Sequence, residues 1–385
     1  MNVVVVGGGF AGVKAALELS KRQVGKVTLI SDESYFLHHA TLYATATGKD
    51  MAESVIPLKD IFVNSPNVTV VKDKITSIDP TRRLLIAGKN QYHYDKAVMA
   101  LGSVTTFFGI KGMEEHAFGI KQVDEVQKFH DHIHEEVVNK KLDKEFFVIG
   151  AGPTGIELAG ALHEYIQSLI VLHRLKGSKA RVTLVEAAPR IVPRMSETAS
   201  KIVSKRLKKM GIKVLINHKV EELTGDSIII DGKKIETKTA VWTSGVANNP
   251  FFPTHEADFH LAPNKRVNVN EYLEAIPNVF VLGDNNTVKF SGMAWPAIHQ
   301  AKFVARHIAR LITKRPTSKF HPRSVMSGLP VGHRWGYVEW HGVYVSGVVG
   351  FWVRRWMELY GYTQLVPFKT AVAVWRAHDI SEVDV

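Results

Sequence analysis

Two stretches of this 385-residue chain carry the same glycine device, and its repetition limits the fold more than any other feature. The first, Gly7-Gly8-Gly9-Phe10-Ala11-Gly12, follows the apolar run Val3–Val6. The second, Gly150-Ala151-Gly152-Pro153-Thr154-Gly155, follows Phe146–Ile149. Continuous apolar runs of this length read as buried parallel strands. Ala15, Ala16 and Leu19 continue the first at helical spacing, and Leu158, Ala159 and Leu162 the second. In G-x-G-x-x-G the first glycine permits the tight turn. The second lets a pyrophosphate approach the backbone, and the third lets the helix sit close to the sheet. The helix N-terminus then offers free N–H groups and a partial positive charge to phosphate. One such motif alone is weak, but here each stands between strand and helix.

The residues after each unit sharpen the reading. Lys26–Ile30 forms the first partner strand and ends at Ser31-Asp32-Glu33, so either Ser31 or Asp32 holds a ribose. A long insertion rich in His, Leu and Lys is expected to run to about Ala180, before the second partner strand, Arg181–Val185. That strand ends in Glu186, an acid that would repel a 2′-phosphate and favours NADH over NADPH. Arg190 and Arg194 nearby pull the other way. The expected class is α/β, with two Rossmann-type dinucleotide-binding domains, one for flavin and one for nicotinamide, the natural pair for hydride transfer. Two later segments complete the first domain. Tyr94–Ser103 is a buried strand ending in glycine, and Val279–Leu282 is another with Gly283-Asp284 at its end. There the Gly283 backbone suits phosphate and Asp284 suits ribityl hydroxyls. The expected boundaries are 1–119 and 251–320 for the first dinucleotide-binding domain, 120–250 for the second, and 321–385 for a C-terminal segment.

Composition narrows the chemistry. The chain has no cysteine, which rules out disulfides, zinc–thiolate sites, iron–sulfur clusters and cysteine nucleophiles. A net charge of +12 favours anionic partners. No zinc finger, basic zipper or RRM motif accompanies it, so nucleic acid is not expected. Met1 leads directly into the first strand, which reads as a cytosolic start without a targeting peptide. His38-His39 and the remaining histidines show no convincing metal spacing, and no metal is expected.

Taken together, Gly7–Gly12, LYATATG at 42–48, ALGSVTTFFGIKGMEEHAF at 100–118, GPTGIELAG at 152–160, VTLVEAAPRIVPRM at 182–195, VWTSGV at 241–246 and VFVLGD at 279–284 resemble the type II, non-proton-pumping NADH:quinone oxidoreductases. The resemblance implies FAD on the first unit and NADH on the second. It places Ala100 and Gly102 in a flavin motif, with Leu101 replacing a threonine. It sets Glu157 near nicotinamide and flavin, and assigns Gly245 to the glycine that lets nicotinamide lie on the flavin. Phe10, Ala11, Ile75 and Ala294 complete the expected cofactor-binding set. The family's Ala-Gln-x-Ala-x-Gln acceptor motif is altered to AWPAIHQ, Ala294 to Gln300. Trp295 and His299 replace the two glutamines and stand beside Glu157 as candidate catalytic residues, Trp295 to stack on an acceptor and His299 to deliver a proton. The alternatives are a space-filling tryptophan and a packed histidine.

From Gly328 the composition changes. Trp335, Trp340, Trp352, Trp356 and Trp375 cluster there, and Val343–Tyr362 is apolar and then amphipathic. Its uncharged core is shorter than the ~20 residues a bilayer span needs. Interfacial aromatics, with Arg354 and Arg355 meeting acidic lipid, predict a monotopic anchor at the cytoplasmic membrane face. The alternative is a homodimer interface or core packing. The whole reads as an FAD-dependent NADH dehydrogenase that passes hydride to flavin and two electrons to a quinone in a respiratory chain. Its rivals are a soluble diaphorase-like oxidase and a non-enzymatic NADH sensor.

Overall fold

The computed structural model describes residues 1–175 and 180–383. Its first sheet has six strands in the order Glu274–Ile276, Val279–Val281, Lys96–Met99, Asn2–Val6, Lys26–Ser31 and Val68–Lys72. All but the Glu274–Ile276 edge run parallel. Val3, Val5, Val27, Leu29, Val98 and Phe280 are fully buried, because helices and a side meander cover both faces. Asn2–Val6 pairs with Lys26–Ser31 on one side and Lys96–Met99 on the other. The chain therefore leaves this strand in opposite directions, and a crevice opens beyond its C-terminal end, where such sheets bind ligands.

The second sheet repeats the plan with four parallel strands: Lys213–Ile216, Arg181–Glu186, Glu145–Ile149 and Ala240–Trp242. An antiparallel ladder between Ser103–Thr105 and Val246–Asn248 ties the two domains together. Helix Pro153–Leu172 continues well past the expected start of an insertion. Its buried Leu162, Tyr165, Ile166 and Leu169 prolong the helical stripe and account for its length.

The C-terminal segment is more than an amphipathic tail. Ser327–Pro330, Gly336–Trp340 and Val343–Ser346 form an antiparallel sheet that leads into helices Gly347–Thr363 and Phe368–Ala377. Gly160 admits this sheet against helix Pro153–Leu172, since a Cβ there would lie 2.8 Å from the Gly332 nitrogen. The stretch read as a continuous apolar segment is thus part strand and part helix. No helix among the described residues is long and apolar enough to cross a membrane.

Candidate functional site

The two glycine turns are built alike, and each divides its glycines between structure and ligand. Gly7 has φ +108°, and a Cβ on it would meet the Ala100 carbonyl at 2.2 Å. A Cβ on Gly12 would meet the Gly7 carbonyl at 1.9 Å. In the second turn Gly150 has φ +106° and backs onto Ser244, while a Cβ on Gly155 would meet the Gly150 carbonyl at 1.8 Å. The protein's own packing demands all four. The middle glycines, Gly9 and Gly152, have nothing within 4 Å of a would-be Cβ. They face open space at the start of helices Phe10–Lys21 and Pro153–Leu172, neither of which carries an acid in its first turn. Open backbone at an unopposed helix N-terminus fits a pyrophosphate.

Around the first cradle the expected segments converge. A Cβ on Gly283 would lie 3.5 Å from the Ala11 Cβ and 3.8 Å from that of Ala297. Helices Phe10–Lys21 and Ala294–Ile312 therefore bring their N-termini to one place, doubling the favourable dipole for an anionic ligand. Asn285, fully buried, accepts from the Gly102 N–H at 3.0 Å and donates to the Gly102 carbonyl at 2.6 Å. Gln300 accepts from the Gly283 N–H at 2.8 Å and from Asn286. Gln300 thus holds the Gly283 turn and belongs to the scaffold.

Asp284 accepts from the Ser103 hydroxyl at 2.9 Å, and the Lys121 ammonium donates to the same hydroxyl at 3.1 Å. Burial holds Lys121 below the ordinary ammonium value, with Asp284 and Glu125 opposing the shift. Lys121 and the paired asparagines escaped the sequence reading because no local spacing marks them. Ser31 is buried, lies under Gly8, and accepts from the Glu33 N–H at 3.3 Å, whereas Asp32 is exposed beyond it. Of the two ribose candidates, Asp32 has the accessible carboxylate. Ile75 packs with Val4, Val6 and Ile30, so its side chain supplies core.

In the second unit Glu186 stands at the expected strand end. Its carboxylate accepts from the Ala151 N–H at 2.7 Å and the Ala188 N–H at 2.8 Å, which fixes the acid beside the glycine turn. Arg190 donates to carbonyls of Pro193 and Met195, which engages its guanidinium within its own loop. Gly245, at φ +78°, is demanded by the protein itself, since a Cβ there would meet the Phe108 ring at 2.6 Å.

Glu157 sits where helix Pro153–Leu172, the Leu42–Thr45 helix and the C-terminal helix meet. It is 6% exposed. Burial pushes its pKa up to about 8, with Arg354 opposing the rise and Glu358 adding to it. Arg354 and Arg355 correct the sequence reading, because neither reaches the surface. Arg354 pairs with Glu358 at 2.8 Å and donates to the Gly328 carbonyl at 3.1 Å. Arg355 pairs with Glu358 at 3.2 Å and donates to the Trp375 carbonyl at 2.8 Å. A buried Glu358 three and four residues along the helix draws both inward, since unpaired buried charge is costly. The outward face of Gly347–Thr363 carries Val348, Val349, Trp352, Trp356 and Tyr360, all exposed.

Trp295 stacks on Tyr360, ring centroids 5.1 Å apart. On helix Ala294–Ile312, Ala297 and Gln300 face Gly283, which puts Trp295, His299 and Lys302 on the opposite side. His299 is held below its ordinary pKa by burial and by Arg323 and Lys302. His299 therefore shares a side of the helix with Trp295 and Lys302, away from the Gly283 turn. The helical period separates residues that the linear motif placed together.

Residues 1–301 match the family model of pyridine nucleotide-disulphide oxidoreductases. The chain is 30% identical over 343 residues to a type II NADH:quinone oxidoreductase of Staphylococcus epidermidis, covering 83% of this chain and 84% of that protein. A protein of the same name from Staphylococcus aureus is 28% identical over 342 residues, with the same coverage. The fold superposes on NDH2 of Plasmodium falciparum, solved with NADH, with a TM-score of 0.88 at 16% identity over 98% of this chain and 97% of that one. It also superposes on the sulfide:quinone oxidoreductase of Aquifex aeolicus, with a TM-score of 0.77 at 20% identity over 98% and 91% of the two chains.

Proposed function

The chain belongs to the type II NADH:quinone oxidoreductase family, and we propose that it oxidises NADH at a bound FAD and reduces a quinone without pumping protons. The observation that carries the reading is the pair of open cradles in a chain with no cysteine. Two dinucleotides are accommodated, and no disulfide can relay electrons between them and an acceptor. Gly9, Gly102, Gly283, Asp284 and Asp32 would hold FAD, with Ala294 opening the helix behind them. FAD, when bound, supplies the hydride acceptor and the two-electron relay. Gly152 would take the NADH pyrophosphate and Glu186 the adenosine ribose.

Over one cycle NADH, quinone and one proton give NAD⁺ and quinol. The protein's part is to align the two rings, exclude water and handle that proton. Glu157, with its pKa near 8, carries a proton at its carboxyl at neutral pH in a dry junction. Trp295 and Tyr360 form an aromatic pair beside the outward stripe, suited to guide a planar apolar acceptor.

The stripe Val348, Val349, Trp352, Trp356 and Tyr360 supports peripheral attachment to a membrane, with aromatic rings at headgroup level. We place that attachment at the cytoplasmic face of the cell membrane. Steady-state NADH oxidation with a soluble quinone, compared with oxygen alone, tests the activity. Turnover should depend on quinone. Equal rates with oxygen alone would identify an oxidase, and a single reduction followed by a stall would identify a sensor.

A further inference from the structure

Away from both cradles, helix Val123–Val138 presents His130 and His134 one turn apart on one face, their rings 4.4 Å apart. The C-terminal tail lays Glu382 against them. Its path is fixed on the first domain: Ser381 bridges to Lys49, the Glu382 N–H donates to the Gly48 carbonyl at 3.0 Å, and the Asp50 N–H donates to the Ile380 carbonyl at 3.3 Å. Glu382 Oε2 lies 2.9 Å from His130 Nε2, and Oε1 lies 3.0 Å from His134 Nε2. The Tyr165 hydroxyl joins the cluster, 2.9 Å from His134 Nε2 and in contact with Oε1. One ligand atom from each of His130, His134 and Glu382 falls within 4.8 Å of the other two.

Two imidazole nitrogens one helical turn apart, closed by a carboxylate, form a donor set for a borderline divalent ion, and zinc suits it best. Water or the Tyr165 oxygen could occupy a fourth, tetrahedral position.

We propose that His130, His134 and Glu382 form a binding site for a divalent transition-metal ion of the zinc class, which clamps the C-terminal tail onto the NADH-binding domain. The tail also lies on residues 48–50, so the clamp joins three parts of the molecule: both dinucleotide domains and the C-terminal segment that carries the outward stripe. The role is structural and distinct from the redox centre.

The test uses untagged, full-length, FAD-loaded protein, stripped with a chelator and dialysed against micromolar zinc chloride. Metal content by mass spectrometry should reach one zinc per chain and withstand millimolar Mg²⁺, which prefers oxygen donors. His130→Ala/His134→Ala should abolish uptake. Glu382→Ala should weaken it by at least about tenfold, as loss of even a supporting contact around a metal does. Retained FAD verifies folding, and His130→Gln/His134→Gln, which keeps polar side chains there, replaces any alanine variant that fails this check. The proposal is overturned if the wild type takes up no stoichiometric zinc, if the double variants bind as the wild type does, or if Glu382→Ala leaves affinity unchanged. In those cases the cluster is only a hydrogen-bonded contact.

Discussion

Replacing Glu157 with glutamine should stabilise the protein, and increasingly so in alkali. The carboxyl is 6% exposed, and its pKa is raised from 4.5 to about 8. Burial is the main cause, with Arg354 opposing and Glu358 reinforcing. An acid whose folded pKa lies above its unfolded value contributes stability that is fully present below the unfolded pKa and lost as pH rises through the folded one. Each pH unit between the two values removes about 1.4 kcal/mol, and roughly 3.5 units remove about 5 kcal/mol in all. Glutamine has the same shape and no proton to lose, so its advantage over glutamate should grow along this slope and level off above about pH 8. Thermal unfolding followed by flavin release, for both proteins across the range from about pH 5 to pH 9, measures the difference in Tm. Curves that stay parallel over the whole range would refute a protonated, desolvated Glu157. Quinone reduction offers a second readout. The wild type should decline on the alkaline side as Glu157 ionises, and the glutamine variant should be slower and flatter.

Other substitutions separate scaffold from ligand contact. A Cβ on Gly9 meets no protein atom within 4 Å, so Gly9→Val should fold with wild-type secondary structure yet purify without FAD; full flavin content would break the assignment of the first cradle. Gly12→Ala puts a Cβ 1.9 Å from the Gly7 carbonyl and should instead lower Tm sharply before any question of cofactor arises. Wild-type kcat/KM should favour NADH over NADPH, and Glu186→Gln should narrow the gap while loosening the Ala151 turn it anchors; equal efficiencies in the wild type would dismiss the role of this acid. Trp352→Glu/Trp356→Glu should abolish cosedimentation with liposomes at low and high salt while FAD is retained, and wild-type protein left in the supernatant at both salts would end the membrane reading. Glu358→Leu should cost on the order of 3–5 kcal/mol, read as a fall in Tm, because Arg354 stays buried without its paired carboxylate and Arg355 keeps only the exposed Asp379 at 3.6 Å.

The dinucleotide domains were readable because their rules are local. An apolar run, three glycines at fixed offsets and a helical stripe lie within about 20 residues of one another. The strand ends anticipated at Val6, Ile149 and Glu186 agree with the structure for this reason. Arg354 and Arg355 were misread because Glu358, which turns them inward, looks like an ordinary surface acid until the helix packs. Trp295 and His299 stand in one linear motif with Gln300, whereas the helical period puts them on another side of the helix from Gln300. His130 and His134 carried no metal signal in the sequence, because Glu382, which closes the cluster, lies 248 residues beyond His134, a distance no motif spans.

The helix Gly347–Thr363 has one face in each of two environments. Val348, Trp352 and Trp356 point outward, while Arg354 and Glu358 stand over Glu157 from inside. A rigid rod exposed in this way transmits tilt. If the outer tryptophans sit among lipid headgroups as proposed, a tilt of the helix would move Arg354 relative to the Glu157 carboxyl and change how tightly that carboxyl keeps its proton. Vesicle curvature or acyl-chain order would then tune turnover with no effector bound, and enzyme freed into detergent would operate at a different set point from enzyme on a bilayer.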